Sequence, residues 1–441
     1  MNDMPHRVPL SSDPGPPEPD HVRPRRSGTF GVLDIGTTKI ACMIARVDGD
    51  GEIRVLGCDW RQGLGVRGGS IVDLEKAERA IRACVGQAEN MADTRLNAVT
   101  VNLTCGQPES RMHKVRWPPD ASMAGRPVTD HDVRAVLREG RELSRSGGRE
   151  PVHVMPLTFS LDNTDHVVDP RGLYCSTLDA RLHVIDASSS ALRSLEACLR
   201  HCDLEIEAIV SAPMAAGLSV LVDDEREIGA TVIDMGGGTT SVASFFENRL
   251  IHTAQIRLGG HHVTSDLAQG LSTPLAHAER LKTLWGNVEA SPDDERDMLP
   301  LSRLGDENHQ LSKVPRNKVV EIIRPRIEET FEQIRDKLAE AGASRGAGHG
   351  TGSRIVLTGG ACQLPGLPHL ASHILGHDVR VGRPVTLRGM PEIATGTAFA
   401  TATGLLLWAA DEGGTFRDVE AERARAGGWF HRLVNFIRDR V

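Results

Sequence analysis

Long apolar runs are scarce in this sequence of 441 residues, of which 39% are hydrophobic and 25% are charged. The nearest approach to a membrane span is 393–410, where 18 consecutive residues carry no charge. That run contains four threonines and two glycines, and this composition favours a buried helix packed closely on a neighbour. We therefore expect a soluble globular protein without a transmembrane helix, long enough to form two or more cores.

An excess of basic residues is also missing. The chain has 51 lysines and arginines against 59 aspartates and glutamates, a formal net charge of −8. Aromatic residues make up only 3% of the chain, and no basic block follows an aromatic stripe. Since proteins that bind nucleic acid carry a basic footprint, we expect no nucleic-acid partner.

Closely spaced metal-binding cysteines are missing too. The eight cysteines are scattered, and the nearest pair, Cys198 and Cys202, has only His201 between them as a further ligand. These groups are too few for a zinc site, so we interpret the pair as buried free thiols. No secretory signal begins the chain, and we expect a reducing, cytoplasmic environment.

What the chain does contain is a pair of similar glycine turns, 200 residues apart. The first is FGVLDIGTT at 30–38, and the second is ATVIDMGGGTT at 230–240. Each turn follows an apolar run and leads into another, at 39–47 and 241–246. Each segment therefore predicts a strand-turn-strand hairpin.

Turns of this composition suit phosphate groups. Glycines let the backbone approach a ligand closely, successive N–H groups can cradle phosphate oxygens, and threonine hydroxyls add donors. Asp34 and Asp234, at the strand ends, would hold Mg²⁺ through water, because that ion keeps much of its hydration. One such turn is common in ordinary hairpins. A matched pair indicates an internal duplication that closes on one nucleotide from both sides.

The rest of the chain divides by composition. Residues 1–27 hold seven prolines and almost no apolar periodicity, which predicts a disordered extension. Strands and helices then alternate, with a helix predicted from residue 74 to 89 and a strand at 98–103. The composition changes over 106–183, and this segment predicts a separate small α+β unit inserted into the first lobe.

The second half contains two further candidate ligand contacts. A diglycine turn ends the apolar strand at 354–361, RIVLTGGA; it could receive a base or ribose, or be an ordinary strand-to-helix turn. Glu279 and Lys282 share one helical face, which suits gripping one ligand or forming a surface ion pair. A further helix begins within 259–267, and for it we predict Thr264 or Ser265 as the N-cap.

The last residues, 429–441, read WFHRLVNFIRDRV after a charged linker bracketed by glycines. On a helix the apolar residues fall within roughly 160°. They are Trp429, Phe430, Leu433, Val434, Phe436, Ile437 and Val441. Arg432 and Arg438 lie opposite. A stripe of this kind usually docks on the protein body, but the linker and the aromatics opposite arginines favour a membrane surface. Anionic lipid adds about 1 kcal/mol per arginine, and many copies along a filament would add avidity.

Three glycine turns in this order, with the Glu279 helix between the second and third, resemble the actin-like ATPase superfamily over about residues 29–411. Within it, the pattern GGHHVTSDLA at 259–268, then Thr273-Pro274 and the Glu279/Lys282 pair, is similar to the FtsA family of bacterial cell-division proteins. The resemblance implies an α/β, actin-like two-lobed duplicated fold. It also implies an inserted small α+β subdomain in the first lobe and a C-terminal amphipathic helix.

Together these features predict seven segments beside the inserted 106–183. They are the disordered extension 1–27, the first lobe 28–212, the second lobe 213–385 with its small subdomain 255–324, the helix 386–411 returning to the first lobe, the flexible linker 412–427 and the membrane-targeting helix 428–441.

The resemblance also implies a cofactor, ATP with Mg²⁺, and a role for individual residues. The first phosphate loop comprises Asp34, Gly36, Thr37, Thr38 and Lys39. The second comprises Asp234, Gly236, Gly237, Gly238 and Thr239. The ribose and adenine would meet Glu279 and Lys282, with Gly359, Gly360 and Ala361 on the opposite side of the base.

One departure from the superfamily concerns hydrolysis. In MreB-like filament proteins and heat-shock chaperone ATPases, a glutamate just before a Pro-x-Ala-Ala element orients the attacking water. This chain has Ala212 before Pro213. Alanine can neither accept a proton nor hold a water, and water positioning is a main catalytic contribution in phosphoryl transfer. We therefore expect tight ATP binding with slow or absent hydrolysis.

The resemblance implies a protein that polymerises on the cytoplasmic face of the inner membrane and tethers the FtsZ ring at the division septum. Its implied partners are the C-terminal tail of FtsZ, bound by about residues 260–320, further copies of the chain, inner-membrane lipids and other divisome proteins. A sugar or acetate kinase shares the phosphate loops but needs a catalytic carboxylate, against which Ala212 argues. A pilus-associated actin-like protein can share the insertion but would not need a detached amphipathic end.

Overall fold

The structure, a computed structural model, describes residues 26, 28–49, 51–118, 123, 125–162, 164–302, 304, 312–345 and 354–411. The predicted extension 1–27, apart from Arg26, lies outside the described residues, as do the predicted linker 412–427 and the amphipathic helix 428–441.

The helices and strands follow in chain order. The first lobe begins with β1 (Gly28–Ile35), β2 (Lys39–Val47), β3 (Ile53–Gln62), β4 (Val66–Arg67), β5 (Ser70–Ile71), α1 (Leu74–Ala92) and β6 (Ala98–Leu103). The inserted subdomain contains β7 (Glu109–Trp117), β8 (Arg126–Pro127), α2 (Asp130–Ser144), β9 (Arg149–Leu161), β10 (Thr164–Val167), β11 (Tyr174–Cys175) and β12 (Leu178–Ser188). The chain then forms α3 (Ser189–His201), β13 (Glu205–Ser211), α4 (Ala212–Val220) and α5 (Asp223–Ile228).

The second lobe continues the series. It contains β14 (Ala230–Met235), β15 (Thr240–Phe246), β16 (Arg249–Ile256), α6 (Gly260–Gly270), α7 (Leu275–Trp285), β17 (Met298–Leu301), β18 (Ser312–Pro315), α8 (Arg316–Arg345), β19 (Arg354–Thr358), α9 (Leu367–Leu375), β20 (Asp378–Val381) and α10 (Ala400–Ala410). Short 3₁₀ turns cover Gly360–Gln363, Glu392–Thr395 and Thr397–Phe399.

Two sheets of the described chain have the same topology. One has the strand order β13-β6-β1-β2-β3 and the other β20-β19-β14-β15-β16. In each, three antiparallel strands are extended on one side by two parallel strands. The predicted hairpins are β1-β2 and β14-β15, and the predicted two-lobed duplicated fold is confirmed.

The hairpin strands are apolar because both faces of each sheet are covered. Residues 30–35 and 40–45 are buried without interruption, which is why they read as continuous apolar runs rather than alternating ones. Helix α1 packs on β2 and β3, and its N-cap is Asp73, whose side chain accepts the N–H of Lys76.

The eight cysteines, including the predicted Cys198 and Cys202, are buried free thiols in the described chain.

The inserted subdomain has a core of its own. Its antiparallel sheet has the order β10-β9-β12-β7, and α2 packs on one face. At the start of α2, the N–H and Oγ1 of Thr129 donate to Asp132 Oδ2, at 2.9 and 2.6 Å. The subdomain also contacts the second lobe, where His183 Nδ1 lies 2.9 Å from the carbonyl oxygen of Leu250.

Two buried helices, α4 and α10, cross between the lobes. They approach so closely that a Cβ on Gly404 would lie 1.7 Å from the carbonyl oxygen of Ala215. Ser219 Oγ donates to the carbonyl oxygen of Ala400, 2.7 Å away. The uncharged run at 393–410 thus ends in a closely packed internal helix, as predicted. Within the part of the chain that the structure describes, none of the helices combines the length and apolar content that crossing a bilayer requires.

Candidate functional site

The two glycine turns are built alike. In the first, the Gly36 N–H donates to the carbonyl oxygen of Lys39 at 2.9 Å, and in the second, the Gly236 N–H donates to that of Thr239 at 2.9 Å. A Cβ on either glycine would lie 2.8 or 2.9 Å from the same carbonyl oxygen. Both turns are therefore too tight for a side chain at this position, and Lys39 and Thr239 hold equivalent places in them.

The turns also lie against each other. A Cβ on Gly237 would lie 1.7 Å from Thr38 Oγ1, and one on Gly238 would lie 2.3 Å from Thr37 Oγ1. The threonines of the first turn thus face the glycines of the second across the junction of the lobes. Backbone N–H groups and hydroxyls from both halves converge at one place, an arrangement that suits an anion.

Asp34 lies at the end of β1 and is 8% exposed. Asn102 Nδ2 donates to its Oδ1 at 2.8 Å, and Lys39 Nζ lies 3.4 Å from its Oδ2. The same ammonium lies 3.9 Å from the ring centroid of Phe399, which in turn packs edge-on against Trp60. Burial raises the pKa of Asp34, while the charge of Lys39 opposes that shift.

Asp234, at the equivalent place in β14, has a different set of neighbours. Thr401 Oγ1 donates to its Oδ2 at 3.0 Å. Gly359 has φ +89°, and a Cβ there would lie 2.4 Å from Asp234 Oδ1, so both conformation and space require glycine. Burial, and to a smaller extent the charge of Asp34, raises the pKa of Asp234 to about 6, against the Thr401 hydrogen bond and Lys39.

A further glycine turn, between β4 and β5, joins the site although the sequence analysis does not identify it. Gly68 has φ +54° and Gly69 has φ +79°. The Gly69 N–H donates to Thr37 Oγ1 at 3.4 Å, and Thr104 Oγ1 donates to the Gly69 carbonyl at 3.3 Å. A Cβ on Gly238 would lie 3.0 Å from the Gly68 nitrogen. This turn therefore touches both hairpins.

Helix α6 begins on the second turn. The N–H groups of Gly260 and His261 donate to the carbonyl oxygens of Gly236 and Gly237, at 3.0 and 2.7 Å. A Cβ on Gly259 would lie 2.6 Å from the Gly236 oxygen. The turn thus supplies acceptors for the first donors of the helix, which a capping side chain usually satisfies.

The predicted N-cap, Thr264 or Ser265, is therefore wrong: Gly259 is the N-cap and both residues lie inside α6. Thr264 Oγ1 instead donates to Glu279 Oε2 at 2.5 Å and accepts from Lys282 Nζ at 2.8 Å. Lys282 Nζ also lies 2.7 Å from Glu279 Oε2. Burial works against ionisation of Glu279, but the hydrogen bonds from Lys282 and Thr264 hold its pKa below the usual value.

The third predicted turn faces this ion pair. Gly359 N–H donates to the carbonyl oxygen of Thr397 at 3.2 Å, and the turn Gly360–Gln363 follows. A Cβ on Gly260 would lie 3.1 Å from Ala361 Cβ and 3.7 Å from Lys282 Nζ. Ala361 and Lys282 thus both lie beside Gly260, at the start of α6.

The three glycine turns, both aspartates and the Glu279/Lys282 pair line one cavity of about 480 Å³, within the range of small-molecule sites. The fifteen residues predicted to contact nucleotide are all part of its lining, as is Ala212. Asn102, Thr104, His261 and Thr401 line it as well and are missed by the sequence analysis. A polar residue near the end of a mainly apolar strand, as Asn102 is in AVTVNL, is a signal that could have found one of them.

Direct metal coordination finds no support in the described residues: no group of three or more His, Cys, Asp or Glu side chains is arranged to hold an ion. The predicted membrane contacts cannot be placed in this architecture. Those that lie outside the described residues are Trp429, Phe430, Arg432, Leu433, Val434, Phe436, Ile437 and Arg438.

Comparison with known proteins identifies the family. Residues 231–404 match the family described as cell division protein FtsA, and residues 111–186 match the SHS2 domain inserted in FtsA. The FtsA protein of Agrobacterium fabrum is 40% identical over 436 residues, covering 96% of this chain and 95% of the relative. That of Pseudomonas aeruginosa is 29% identical, covering 85% and 88%.

A solved structure supports the fold. The chain is similar to one in a PilM-PilN type IV pilus biogenesis complex, with a TM-score of 0.61 and 18% identity over 86% of this chain and 98% of that one. At this identity the likeness concerns architecture only. The sequence match to the Agrobacterium protein extends over almost the whole of both chains, and the insert carries its own match. The chain therefore belongs to the FtsA family of cell-division proteins, in which it has a cell-division role on an actin-like fold.

Proposed function

We propose that this protein binds ATP with Mg²⁺ between its lobes, polymerises on the cytoplasmic face of the inner membrane, and tethers the FtsZ ring there at the division septum. Membership of the FtsA family supports the cell-division part of this proposal. The contact between the two glycine hairpins around one cavity carries the nucleotide part.

The residues of the cavity fit a nucleotide polyphosphate. The turns offer N–H groups and threonine hydroxyls from both lobes, where phosphate oxygens would be held. Glu279 and Lys282 share one wall with the start of α6, which suits ribose hydroxyls and ring nitrogens. Leu364, Pro365 and Ile327 add apolar surface to the lining, where a purine base would be shielded from water.

The same residues fit a hydrated magnesium ion. Asp34 and Asp234 reach the cavity from opposite lobes, and the charge of one disfavours ionisation of the other. These two carboxylates would hold a divalent cation through its water ligands, and the cation would offset their repulsion. When bound, Mg²⁺ would offset the charge of both carboxylates and phosphates.

Slow hydrolysis follows from Ala212. This residue begins α4, lines the cavity and is 2% exposed. Its methyl group offers no acceptor for a water proton, so the attacking water would lack a base at this position. We expect nucleotide to act mainly by holding the lobes together. Turnover of several ATP per second by the purified protein alone would contradict this part of the proposal.

The membrane and FtsZ parts rest on the sequence. The stripe of Trp429, Phe430 and the other apolar residues opposite Arg432 and Arg438 favours an interfacial helix. The small subdomain of the second lobe, about 260–320, is proposed to hold the C-terminal tail of FtsZ, as the family resemblance implies. Other copies of the chain and other divisome proteins complete the proposed partners.

The decisive experiment is electron microscopy of the full-length protein on a lipid monolayer, with and without Mg-ATP and FtsZ. We expect ATP-dependent filaments on the lipid and recruitment of FtsZ to them. Filaments that form equally without nucleotide, or FtsZ that ignores lipid-bound protein, would contradict the corresponding part of the proposal.

A pair of variants tests the membrane helix separately. Trp429→Glu places a charge in the apolar stripe and should abolish sedimentation with anionic vesicles. Asn435→Glu adds the same charge on the polar face and should retain most of the sedimentation, reduced only by electrostatic repulsion. Undiminished sedimentation of Trp429→Glu would exclude this helix as the anchor.

A further inference from the structure

The turn between β4 and β5 places two arginines at the junction of the lobes. Arg67, from the first lobe, directly precedes the Gly68-Gly69 turn that touches both glycine hairpins. Arg257, from the second lobe, directly follows β16, and its Nε and one terminal nitrogen would lie 3.8 Å from a Cβ on Gly68. Both side chains are exposed. An arginine of the first lobe thus directly precedes the turn, and the guanidinium group of an arginine of the second lobe lies beside it.

Neither arginine has an acidic partner or a hydrogen-bond acceptor within the described ranges. Elsewhere in the chain such partners are common, as for Arg326 with Asp266 and Arg116 with Asp179. Like charges that converge from two bodies repel, unless an anion lies between them.

We propose that Arg67 and Arg257 form a clamp that binds the terminal phosphate of a nucleoside triphosphate and is complete only when the lobes are closed. Guanidinium groups bind phosphate oxygens through paired, charge-assisted hydrogen bonds. Gly69 lines the cavity at its phosphate end, beside Thr37 and Gly238. The two arginines lie just outside this lining, so their long side chains would turn inward to reach the phosphate. The other end of the cavity is formed by Glu279 and Lys282.

This inference rests on the proposed function and adds a discriminating role to it. The two hairpins would bind the phosphates common to ATP and ADP. The clamp would contact only the last phosphate of ATP, and it would join the lobes through that group. It therefore supplies a way for the protein to respond to the triphosphate even where Ala212 makes hydrolysis slow.

The test is the affinity of full-length protein for Mg-ATP and Mg-ADP, measured by calorimetry for the wild type, Arg67→Ala, Arg257→Ala and the double variant. We expect each single variant to lose about tenfold in ATP affinity, the scale of one charge-assisted hydrogen-bond set, with ADP affinity changed by less than about twofold. The double variant should lose less than the product of the two single losses, because both groups hold the same phosphate. Arg257→Lys should retain only part of the ATP preference, since the paired geometry is lost.

Arg249→Ala is the matched control, because Arg249 begins β16 and lies about 26 Å from Arg257 along the strand. It removes the same charge and should leave both affinities unchanged. Equal losses for ATP and ADP, or no loss, would overturn the clamp while leaving the proposed function intact. A wild type that binds neither nucleotide would overturn both. Variants that bind ATP normally but sediment less with anionic vesicles would assign the arginines to lipid instead.

Discussion

The two lobes share a sheet topology but differ in where each one accommodates extra structure. In the first lobe the inserted subdomain follows β6, the fourth strand of the repeat, whereas in the second lobe α6, α7, β17 and β18 follow β16, the third. The repeat itself, with its hairpin and crossing helix, is kept in both. The insertions therefore add structure to each lobe without separating the two hairpin turns, which still face each other at the cavity.

The two hairpins differ in charge. Lys39 and Thr239 hold equivalent turn positions, so only the first hairpin carries a cation. Asp34 has Lys39 and Asn102 as partners, whereas Asp234 has Thr401. Burial raises the pKa of both carboxyls; Lys39 opposes this most strongly at Asp34, and the pKa of Asp234 reaches about 6. A duplicated backbone thus carries an asymmetric site, in which Asp34 is paired with a cation and Asp234 is hydrogen-bonded to a neutral hydroxyl.

The largest expected effect concerns the close contact between α4 and α10, the two helices that cross between the lobes. Gly404→Ala in α10 should lower the free energy of unfolding by about 3 kcal/mol or more, because its Cβ would meet the Ala215 backbone oxygen at 1.7 Å. Gly217→Ala in α4 should cost less, because its Cβ would meet the Phe245 ring at 2.4 Å, and a side chain can shift. Urea unfolding measures both.

A helix glycine with free space is the control for both substitutions. Gly86 lies in α1, and a Cβ added there would have no atom within 4 Å, so Gly86→Ala should stabilise the protein by about 0.5 to 1 kcal/mol through helix propensity. If Gly404→Ala were as harmless as Gly86→Ala, the close crossing of α4 and α10 would not exist in solution.

A smaller effect tests the difference between the two carboxylates. Between pH 4 and 6 the unfolded chain releases the Asp234 proton while the folded protein keeps it, because the folded pKa is about 6 against 3.8. The contribution of Asp234 to the free energy of unfolding should therefore be largest at low pH and should decrease by about 2 kcal/mol as the pH rises through this window. Asp234→Asn should remove this decrease in urea titrations carried out in EDTA.

Asp34→Asn is the comparison that makes the result specific. The pKa of Asp34 is also raised, but Lys39 opposes the effect of burial. Asp34→Asn should therefore flatten the pH dependence less than Asp234→Asn does. If the two variants changed the pH dependence equally, the neighbours of the two carboxylates would be energetically equivalent, contrary to the structure.

Much of this site was accessible from local patterns. The strand predicted at 39–47 is β2, and the helix predicted at 74–89 is α1 with one more turn, because apolar periodicity and turn residues are local signals. The fifteen predicted contacts line one cavity, since the hairpins that carry most of them are repeated in the sequence. Their individual roles stay predictions.

The residues that hold those contacts were not accessible in the same way. Asn102 and Thr401 reach the two aspartates from 68 and 167 residues away, and no local spacing links them. The start of α6 was misplaced for a related reason. The acceptors for its first N–H groups come from Gly236 and Gly237, so the helix needs no capping threonine, and the local signal at Thr264 belongs to the Glu279 and Lys282 cluster.

The smallest expected effect isolates the cation that distinguishes the first hairpin. Lys39 Nζ lies 3.9 Å from the Phe399 ring centroid, and such contacts contribute about 0.5 to 1 kcal/mol. Lys39→Met, Phe399→Leu and the double variant form a cycle in which the coupling energy, measured by urea unfolding, should fall in that range. Phe399→Tyr retains the ring face and should retain the coupling. A coupling near zero would leave Asp34 as the one partner among the described residues that holds Lys39. The two hairpins would then differ by one ion pair alone, and Phe399 would have no part in orienting the cation toward the cavity.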